Sequence, residues 1–315
     1  MKKAVFAAAA LAALFPATHA SATLLRYEPF DHTPVGSTVE GKTNPDGETW
    51  VRAYGTVAAP VAPSLIKIAS GSLAVPAGLP SAVGNSVEID GGPSTDDGNS
   101  EQAGRALRLP FGAGNGVVAN SGGTIYFSLT LRVDELTGSN DINGGFFLAL
   151  NNSAGLTTGN PTAGSGRLQS RIDPTDATKY NLGIFRNVNA AAAAPSWSSA
   201  LDVGETLFLV GSVEAVAGTQ NDIARLWINP DTTTFGDESF SPLTTTPTLI
   251  DNSTGAGTDI GLVSILLRQS TAPHVTLDEL RVGTTWADVT PIPEPASLSL
   301  LGLGIAGLLA RRRRK

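Results

Sequence analysis

The sequence predicts an all-β body, and three observations lead to this prediction. Glycine and proline are frequent, with 35 and 20 copies in 315 residues, whereas charged residues make up only 16%. Short strand-like segments alternate with clusters of glycine, asparagine and proline, which is the pattern of strands and turns. No segment of the body has a convincing amphipathic helical period. Because the chain has no cysteine, one large core has to hold the body together without disulfide bonds.

About a dozen segments have the length and composition of strands. In chain order they are residues 24–27, 65–68, 86–89, 106–109, 124–133, 145–150, 168–172, 180–185, 206–216, 223–228, 261–267 and 274–282. Segment 124–133 is the clearest, because apolar residues from Ile125 to Val133 alternate strictly with Thr124, Tyr126 and other polar residues. Such alternation predicts one buried face and one face toward water or a partner. The alanines at 190–194 precede Pro195 and are read as a loop.

The last strand contains a change of pattern. Its apolar residues lie at 275 and 277 and then at 280 and 282, so the inward-facing parity switches across Asp278 and Glu279. A switch of this kind within one strand predicts a β-bulge. Adjacent acids on a regular strand point to opposite faces, and only such a bulge would let this pair converge on one site. An ion pair or turn closure is still the favoured role of the pair.

The amino terminus has the pattern of a targeting segment. Lys2 and Lys3 precede the apolar run 4–14, and small residues follow. This order is typical of a secretory signal peptide, which we assign to residues 1–22. The body is then residues 23–290, and we find no linker that would divide it into two domains.

The carboxyl terminus contains a second targeting pattern. Pro293, Glu294 and Pro295 precede the uncharged stretch 296–310, and the chain closes on Arg311, Arg312, Arg313, Arg314 and Lys315. As a helix this stretch would be roughly 22 Å long, shorter than the ~30 Å hydrocarbon core of a bilayer. The positive-inside rule places the basic tail in the cytoplasm and the body across the membrane. The sequence therefore predicts an exported protein.

This carboxyl-terminal pattern resembles the PEP-CTERM sorting signal of Gram-negative bacteria. The resemblance implies that a membrane-embedded exosortase with a cysteine nucleophile recognises Pro293, Glu294 and Pro295. It implies a precursor held transiently in the inner membrane and a product at the cell surface or in the extracellular matrix. The alternative is an ordinary carboxyl-terminal membrane anchor.

Charge excludes one class of partner. Removing residues 1–22 and 293–315 takes away seven of the 21 cations and one of the 28 carboxylates, which leaves a net charge near −13. Nucleic acids and anionic lipid surfaces select basic proteins, so we expect no nucleic-acid partner.

Several short segments resemble concanavalin A-like and laminin G-like jelly rolls. They are the opening segment 24–31, Tyr126 to Ser128, residues 224–230, and the apolar-Asp-Glu-apolar-Arg-apolar pattern of the last strand. The resemblance implies a two-sheet β-sandwich. That fold occurs in sugar-binding lectins and in glucanases, so it does not decide function.

Catalytic patterns are absent or broken in the sequence. Glu88, Ile89 and Asp90 begin a glucanase-like motif, but Pro93 stands where the acid should be. After signal removal only His32 and His274 remain, with no cysteine and no nucleophile elbow. We therefore expect a non-catalytic protein. A divergent glycan-active enzyme and a purely structural matrix protein remain as alternatives.

Two kinds of ligand remain open. Exposed tryptophans stack on sugar rings, and Trp197 and Trp227 are the candidates for a glycan site, although each is also a plausible packing residue. The laminin G-like resemblance favours calcium as the one ion, with Asp96, Asp97 and Asp278 as candidate ligands, and solvated Asp/Asn turns are the alternative interpretation of these acidic segments. No other cofactor is predicted. The PEP-CTERM resemblance implies association with exopolysaccharide.

Overall fold

The computed structural model describes residues 23–53, 66–90, 106–136, 144–157, 164–186, 197–240, 246–254, 259–269 and 273–293. The predicted signal peptide, the predicted helix 296–310 and the basic tail lie outside these residues. Within the described part of the chain, no helix is long and apolar enough to cross a membrane.

The described residues form fifteen strands, one short α-helix and a 3-10 helix at Thr232–Thr234. The strands are β1 (Leu24–Glu28), β2 (Val51–Arg52), β3 (Ile66–Ala69), β4 (Ser86–Ile89), β5 (Ala106–Pro110), β6 (Thr124–Glu135), β7 (Gly145–Asn151), β8 (Ser165–Ile172), β9 (Lys179–Phe185), β10 (Leu201–Asp202), β11 (Thr206–Glu214), β12 (Ile223–Ile228), β13 (Leu249–Asp251), β14 (Ser264–Arg268) and β15 (His274–Gly283), and the helix is α1 (Trp286–Val289). Every segment predicted as a strand forms one. The sequence does not predict β2, β10 and β13, which are only two or three residues long and too short to show alternation.

These strands make two antiparallel sheets packed face to face. The eight-stranded sheet has the order β13-β12-β11-β6-β15-β4-β3, with β1 also beside β15. The seven-stranded sheet has the order β10-β9-β8-β7-β14-β5-β2. The predicted all-β class and the jelly-roll sandwich are both confirmed.

The main core lies between the two sheets. On β6 it contains the predicted inward residues, from Ile125 to Val133, all fully buried. The facing strands of the other sheet contribute Leu148, Leu168 and Ile265. Burial of this alternating set is the largest favourable term in the stability of the sandwich.

A second hydrophobic cluster covers the outer face of the eight-stranded sheet. It contains Tyr126, Phe208, Val210, Trp227, Phe235, Trp286 and Val289. Ser128 and Thr130, on the polar side of β6, are 0% exposed. Part of this face therefore meets neither water nor another protein, because the chain's own segments 231–240 and 286–290 cover it.

The predicted β-bulge in β15 is confirmed. The pairing with β6 steps from Asp278 opposite Thr130 to Arg281 opposite Ser128, so β15 contains one extra residue. Glu279 has a left-handed backbone, with φ of 52°. Leu277 and Leu280 are consequently both 1% exposed in the main core, despite their opposite parity. The bulge lies where the neighbour of β15 changes from β4 to β1.

Candidate functional site

The body ends in a tightly capped helical turn. Asp288 N donates to Thr285 Oγ1 (3.2 Å), and Asp288 Oδ2 accepts from Thr285 N (2.8 Å), which forms a capping box at the start of α1. Trp286 is 1% exposed, and its Nε1 donates to the carbonyl of Thr234 (3.0 Å). Its ring stacks on Phe240 with centroids 4.0 Å apart. These contacts fix α1 on the second hydrophobic cluster.

Thr290 is the last fully buried residue before the predicted sorting motif. Its carbonyl accepts from Gly236 N (2.7 Å), and its hydroxyl donates to the carbonyl of Trp286 (2.9 Å). Ile292 is 55% exposed, yet its side chain lies so close to Gly236 that a Cβ there would come within 3.0 Å of it. Pro293, the first residue of the triplet, is exposed. Glu294 and Pro295 lie outside the described residues.

The acidic pair of the bulge satisfies backbone groups and a neighbouring guanidinium. Asp278 accepts from Leu73 N (2.9 Å) and from Glu279 N (2.8 Å). Glu279 accepts from Val83 N (3.2 Å) and pairs with Arg281 Nη2 (3.1 Å). Burial raises the pKa of Asp278 to about 7, although the two backbone hydrogen bonds favour its charged form. The two carboxylates thus satisfy backbone N–H groups at the point where the neighbour of β15 changes from β4 to β1.

The described residues show no cluster of carboxylates that would hold calcium. No group of three or more His, Asp or Glu side chains in that part of the chain could hold a metal ion. Both carboxylate oxygens of Asp278 accept from backbone N–H groups. The other two predicted ligands, Asp96 and Asp97, lie outside the described residues. Calcium binding there stays a prediction.

The outer face of the seven-stranded sheet carries a cluster of arginines with two aromatic rings. We call it the arginine face, and its members are Arg108, Arg167, Arg171, Arg268, Phe146 and Trp197. The strand registers place these arginines opposite the core side of β5, β8 and β14, because Leu107, Leu168 and Leu267 face inward. Sequence reasoning did not assign the arginines, although Arg167, Gln169 and Arg171 alternate visibly along β8.

Two guanidinium groups contact one ring on this face. The Cζ atoms of Arg167 and Arg268 lie 4.3 Å and 4.7 Å from the centroid of Phe146. Burial, and then the nearby charge of Arg268, lowers the pKa of Arg167 to about 10. Both groups therefore remain cationic at neutral pH. Arg167 and Phe146 are only 6% and 7% exposed, so Arg268 supplies the accessible charge of this pair.

Trp197 lies at the edge of the arginine face and is half-buried. The Cζ of Arg171 lies 4.4 Å from its ring centroid, and Arg171 Nε donates to Asn181 Oδ1 (3.0 Å). The ring packs over Gly183, where a Cβ would come within 2.9 Å of it. A glycine is needed at 183 because the indole occupies the space of a side chain.

Trp227 lies in the second hydrophobic cluster. It is 5% exposed and packs edge-on against Trp286, with centroids 5.3 Å apart. Phe240 contacts it in the same manner at 6.4 Å. This packing leaves little of the ring surface for a sugar, and we do not retain Trp227 as a glycan contact.

A cleft of about 460 Å³ lies at the β2 edge of the seven-stranded sheet. Its walls include Glu40, Thr49, Arg52 and Leu156, and Leu156 is 41% exposed. Arg52 Nη2 pairs with Glu40 Oε1 (3.1 Å). Arg108 links the cleft to the arginine face, since its Nη1 donates to the carbonyl of Gly155 in the cleft wall. The volume falls within the range of small-ligand sites.

A smaller polar pocket of about 180 Å³ lies on the outer face of the eight-stranded sheet. Glu88, Asp134 and His274 line it, and His274 Nε2 is 3.8 Å from Glu88 Oε2. Asp134 is already engaged, because it pairs with Arg132 Nε (2.5 Å) and accepts from the hydroxyl of Thr276 (2.5 Å). This pocket brings a histidine and two carboxylates together.

Comparison with known proteins identifies the carboxyl terminus. Residues 291–315 match the family described as the PEP-CTERM protein-sorting motif. The chain carries this motif, and the predicted triplet and basic tail lie within it. No curated protein matches the sequence.

Solved structures with a similar fold share little sequence with this chain. A carbohydrate esterase from a Shiga toxin-encoding bacteriophage is 13% identical over 84% of this chain and 99% of its own, with a TM-score of 0.38. An alginate lyase from Zobellia galactanivorans is 13% identical over 68% and 81%, with a TM-score of 0.36. An alginate lyase from Pseudomonas aeruginosa is 9% identical over 64% and 83%, with a TM-score of 0.33.

Proposed function

We propose that the protein is a non-catalytic glycan-binding protein that associates with exopolysaccharide at the cell surface. The arginine face is the observation that carries this proposal. Planar guanidinium and amide groups beside aromatic rings suit a sugar, whose C–H face packs on a ring while its hydroxyl groups accept and donate hydrogen bonds.

Charge indicates the kind of glycan. Arg171 and Arg268 are partly exposed and contribute accessible positive charge on one sheet face, whereas Arg167 is buried. Carboxylates pair with guanidinium groups through two parallel hydrogen bonds. Neutral sugars cannot form such charged pairs. An acidic polysaccharide that contains uronate residues is therefore the favoured ligand of the arginine face.

Delivery to the surface follows from the sorting motif, which marks an exported protein whose precursor is anchored in the membrane. We propose that Pro293 and Glu294 are required for processing by an exosortase. Replacing both with alanine should leave an unprocessed precursor in the membrane fraction of the host. If the variant matures and reaches the surface like the wild type, the exosortase proposal is wrong.

Glycan binding can be tested by titration calorimetry of the mature protein with a polyuronate and with a neutral glucan. Arg171→Gln keeps a polar side chain but shortens it and removes the charge. Loss of one charged hydrogen bond, about 1.5–3 kcal/mol, should weaken polyuronate binding by about tenfold or more. Lys67→Gln is the matched control, because Lys67 is also a partly exposed cation but lies on β3 of the other sheet and lines neither pocket.

Each outcome of this titration decides between classes of function. Binding that Arg171→Gln weakens and Lys67→Gln does not supports the proposal. Equal loss in both variants indicates nonspecific charge attraction. No binding to any glycan would favour a purely structural matrix protein.

One observation favours the second candidate, a glycan-active enzyme. The polar pocket brings Glu88 and Asp134 into one wall, and paired carboxylates are the groups that glycoside hydrolysis uses. Release of reducing ends from a bacterial polysaccharide, lost in Glu88→Gln, would establish this activity. A wild-type protein that releases none argues for the non-catalytic proposal.

A further inference from the structure

The anchored end of the body leaves almost no free chain before the sorting motif. Thr290 is fully buried, and the match to the motif begins at the next residue. Glu294, the middle residue of the triplet, is four residues beyond Thr290, and extended chain covers at most about 3.6 Å per residue. Glu294 therefore lies within roughly 14 Å of a residue that is fixed inside the fold.

This short distance conflicts with what a processing enzyme needs. Enzymes that act on a peptide commonly bind it as an extended strand, with its backbone N–H and C=O groups accessible. In the body, the carbonyl of Thr290 accepts from Gly236 N (2.7 Å), and the carbonyl of Val289 accepts from Ser128 Oγ (2.6 Å). The backbone carbonyl groups just before the triplet are thus already hydrogen-bonded within the fold, so an enzyme cannot bind them.

We propose that residues 286–292 form a clasp, which must detach from the body before the sorting enzyme can bind the chain at the triplet. This inference rests on the proposed sorting function. The clasp is a terminal segment, and such segments detach at lower free energy than the whole fold unfolds. Its docking therefore sets the rate of processing, and only the local population of detached chain is available to the enzyme.

Three contacts determine how tightly the clasp is docked. Trp286 packs between Phe240 and Trp227, Thr290 bonds to Gly236, and Ile292 rests on Gly236. Gly236 has φ of 69°, a left-handed conformation that glycine adopts without strain, and a Cβ there would press on Ile292. Gly236 therefore allows the clasp to dock closely on the body.

The test is an insertion in the full-length chain, followed in the host by pulse-chase and by fractionation. Eight flexible Gly and Ser residues between Ile292 and Pro293 give the enzyme free chain without disturbing the clasp. We expect processing to accelerate by about tenfold, because the enzyme can then bind the triplet while the clasp stays docked. A tenfold change corresponds to about 1.4 kcal/mol of docking free energy that no longer has to be overcome. The same insertion between exposed Ala113 and Gly114 is the matched control, and should leave the rate unchanged.

A second variant tests the clasp without changing chain length. Thr290→Val removes the hydroxyl that bonds to the carbonyl of Trp286 but keeps the branched shape. It should also accelerate processing, by less than the insertion does. Normal resistance of the variant body to protease would show that the fold is intact.

The possible results separate the clasp from the sorting proposal. If the Ile292–Pro293 insertion is processed at the wild-type rate or more slowly, the clasp proposal is wrong. If processing continues when Pro293 and Glu294 are both alanine, the sorting proposal itself fails. Acceleration by the insertion, together with a block in the alanine variant, supports both.

Discussion

Truncation of Leu280 tests the geometry of the bulge in β15. In a strand without the extra residue, Leu280 would have the parity of Asp278 and would leave the main core. In the structure its side chain is 1% exposed and belongs to that core. Leu280→Ala should therefore behave as a core truncation and not as a surface change.

The expected cost follows from burial. Deleting a fully buried leucine side chain to alanine costs about 2–5 kcal/mol, and we expect about 3 kcal/mol here. For a domain of this size, 1 kcal/mol changes the melting temperature by about 2–4 °C, so the variant should melt about 6–12 °C lower. Leu24→Ala is the matched control, because Leu24 is 40% exposed on the neighbouring strand β1.

The measurement is thermal unfolding of residues 23–290, monitored by circular dichroism. The mature body should give a β-rich spectrum and one transition, and Leu24→Ala should cost less than about 1 kcal/mol. If Leu280→Ala costs no more than Leu24→Ala, Leu280 is not in the core and the bulge is misplaced. A spectrum dominated by helix would refute the fold as a whole.

Three further perturbations have expected outcomes. Burial, and then the neighbouring charge of Asp259, raises the pKa of Asp222 to about 6 from an ordinary 3.8. The fold therefore favours the protonated form of Asp222. The contribution of this group to the stability of the fold is fully present below about pH 4 and is lost as the pH rises through about 6. The melting temperature of Asp222→Asn should therefore rise relative to that of the wild type as the pH increases from 4 to 7. A difference in melting temperature that is constant over this range would contradict the raised pKa. Gly183→Ala would place a Cβ within 2.9 Å of Trp197, so it should displace the indole, shift tryptophan fluorescence and weaken glycan binding; unchanged fluorescence and affinity would show that the ring has room. If calcium binds at Asp96 and Asp97, added calcium should raise the melting temperature of the wild type but not of the variant with Asn at both positions. If neither calcium nor a chelator changes the melting temperature of the wild type, the calcium prediction is wrong.

The bulge could be predicted from sequence because its signal is local. Four apolar residues within eight positions of β15 change parity at one point, and no knowledge of neighbouring strands is needed to see it. The second hydrophobic cluster could not be predicted in this way. Tyr126 and Phe208 lie on the polar side of otherwise alternating strands, and only the distant segments 231–240 and 286–290 explain why that side is apolar.

The arginine face shows the same limit for function. Arg108, Arg171 and Arg268 belong to three strands that are far apart in the chain and come together only through the order β8-β7-β14-β5. Non-sequential neighbours of this kind are set by the packing of the whole sandwich. The sorting motif could be predicted from the sequence, because its signal is a contiguous run of residues and depends on no fold.

The position of β15 in its sheet has a consequence for how the chain folds. The final strand of the body is an interior one, bordered by β6 on one side and by β4 and β1 on the other. Leu24 pairs with Gly283, so almost the entire body must be available before its first strand finds a partner. Contacts between such distant residues close slowly, because loop-closure entropy is lost before they form. The eight-stranded sheet should thus stay incomplete until translation of the body is nearly finished, because β4 and β6 are joined only through β15.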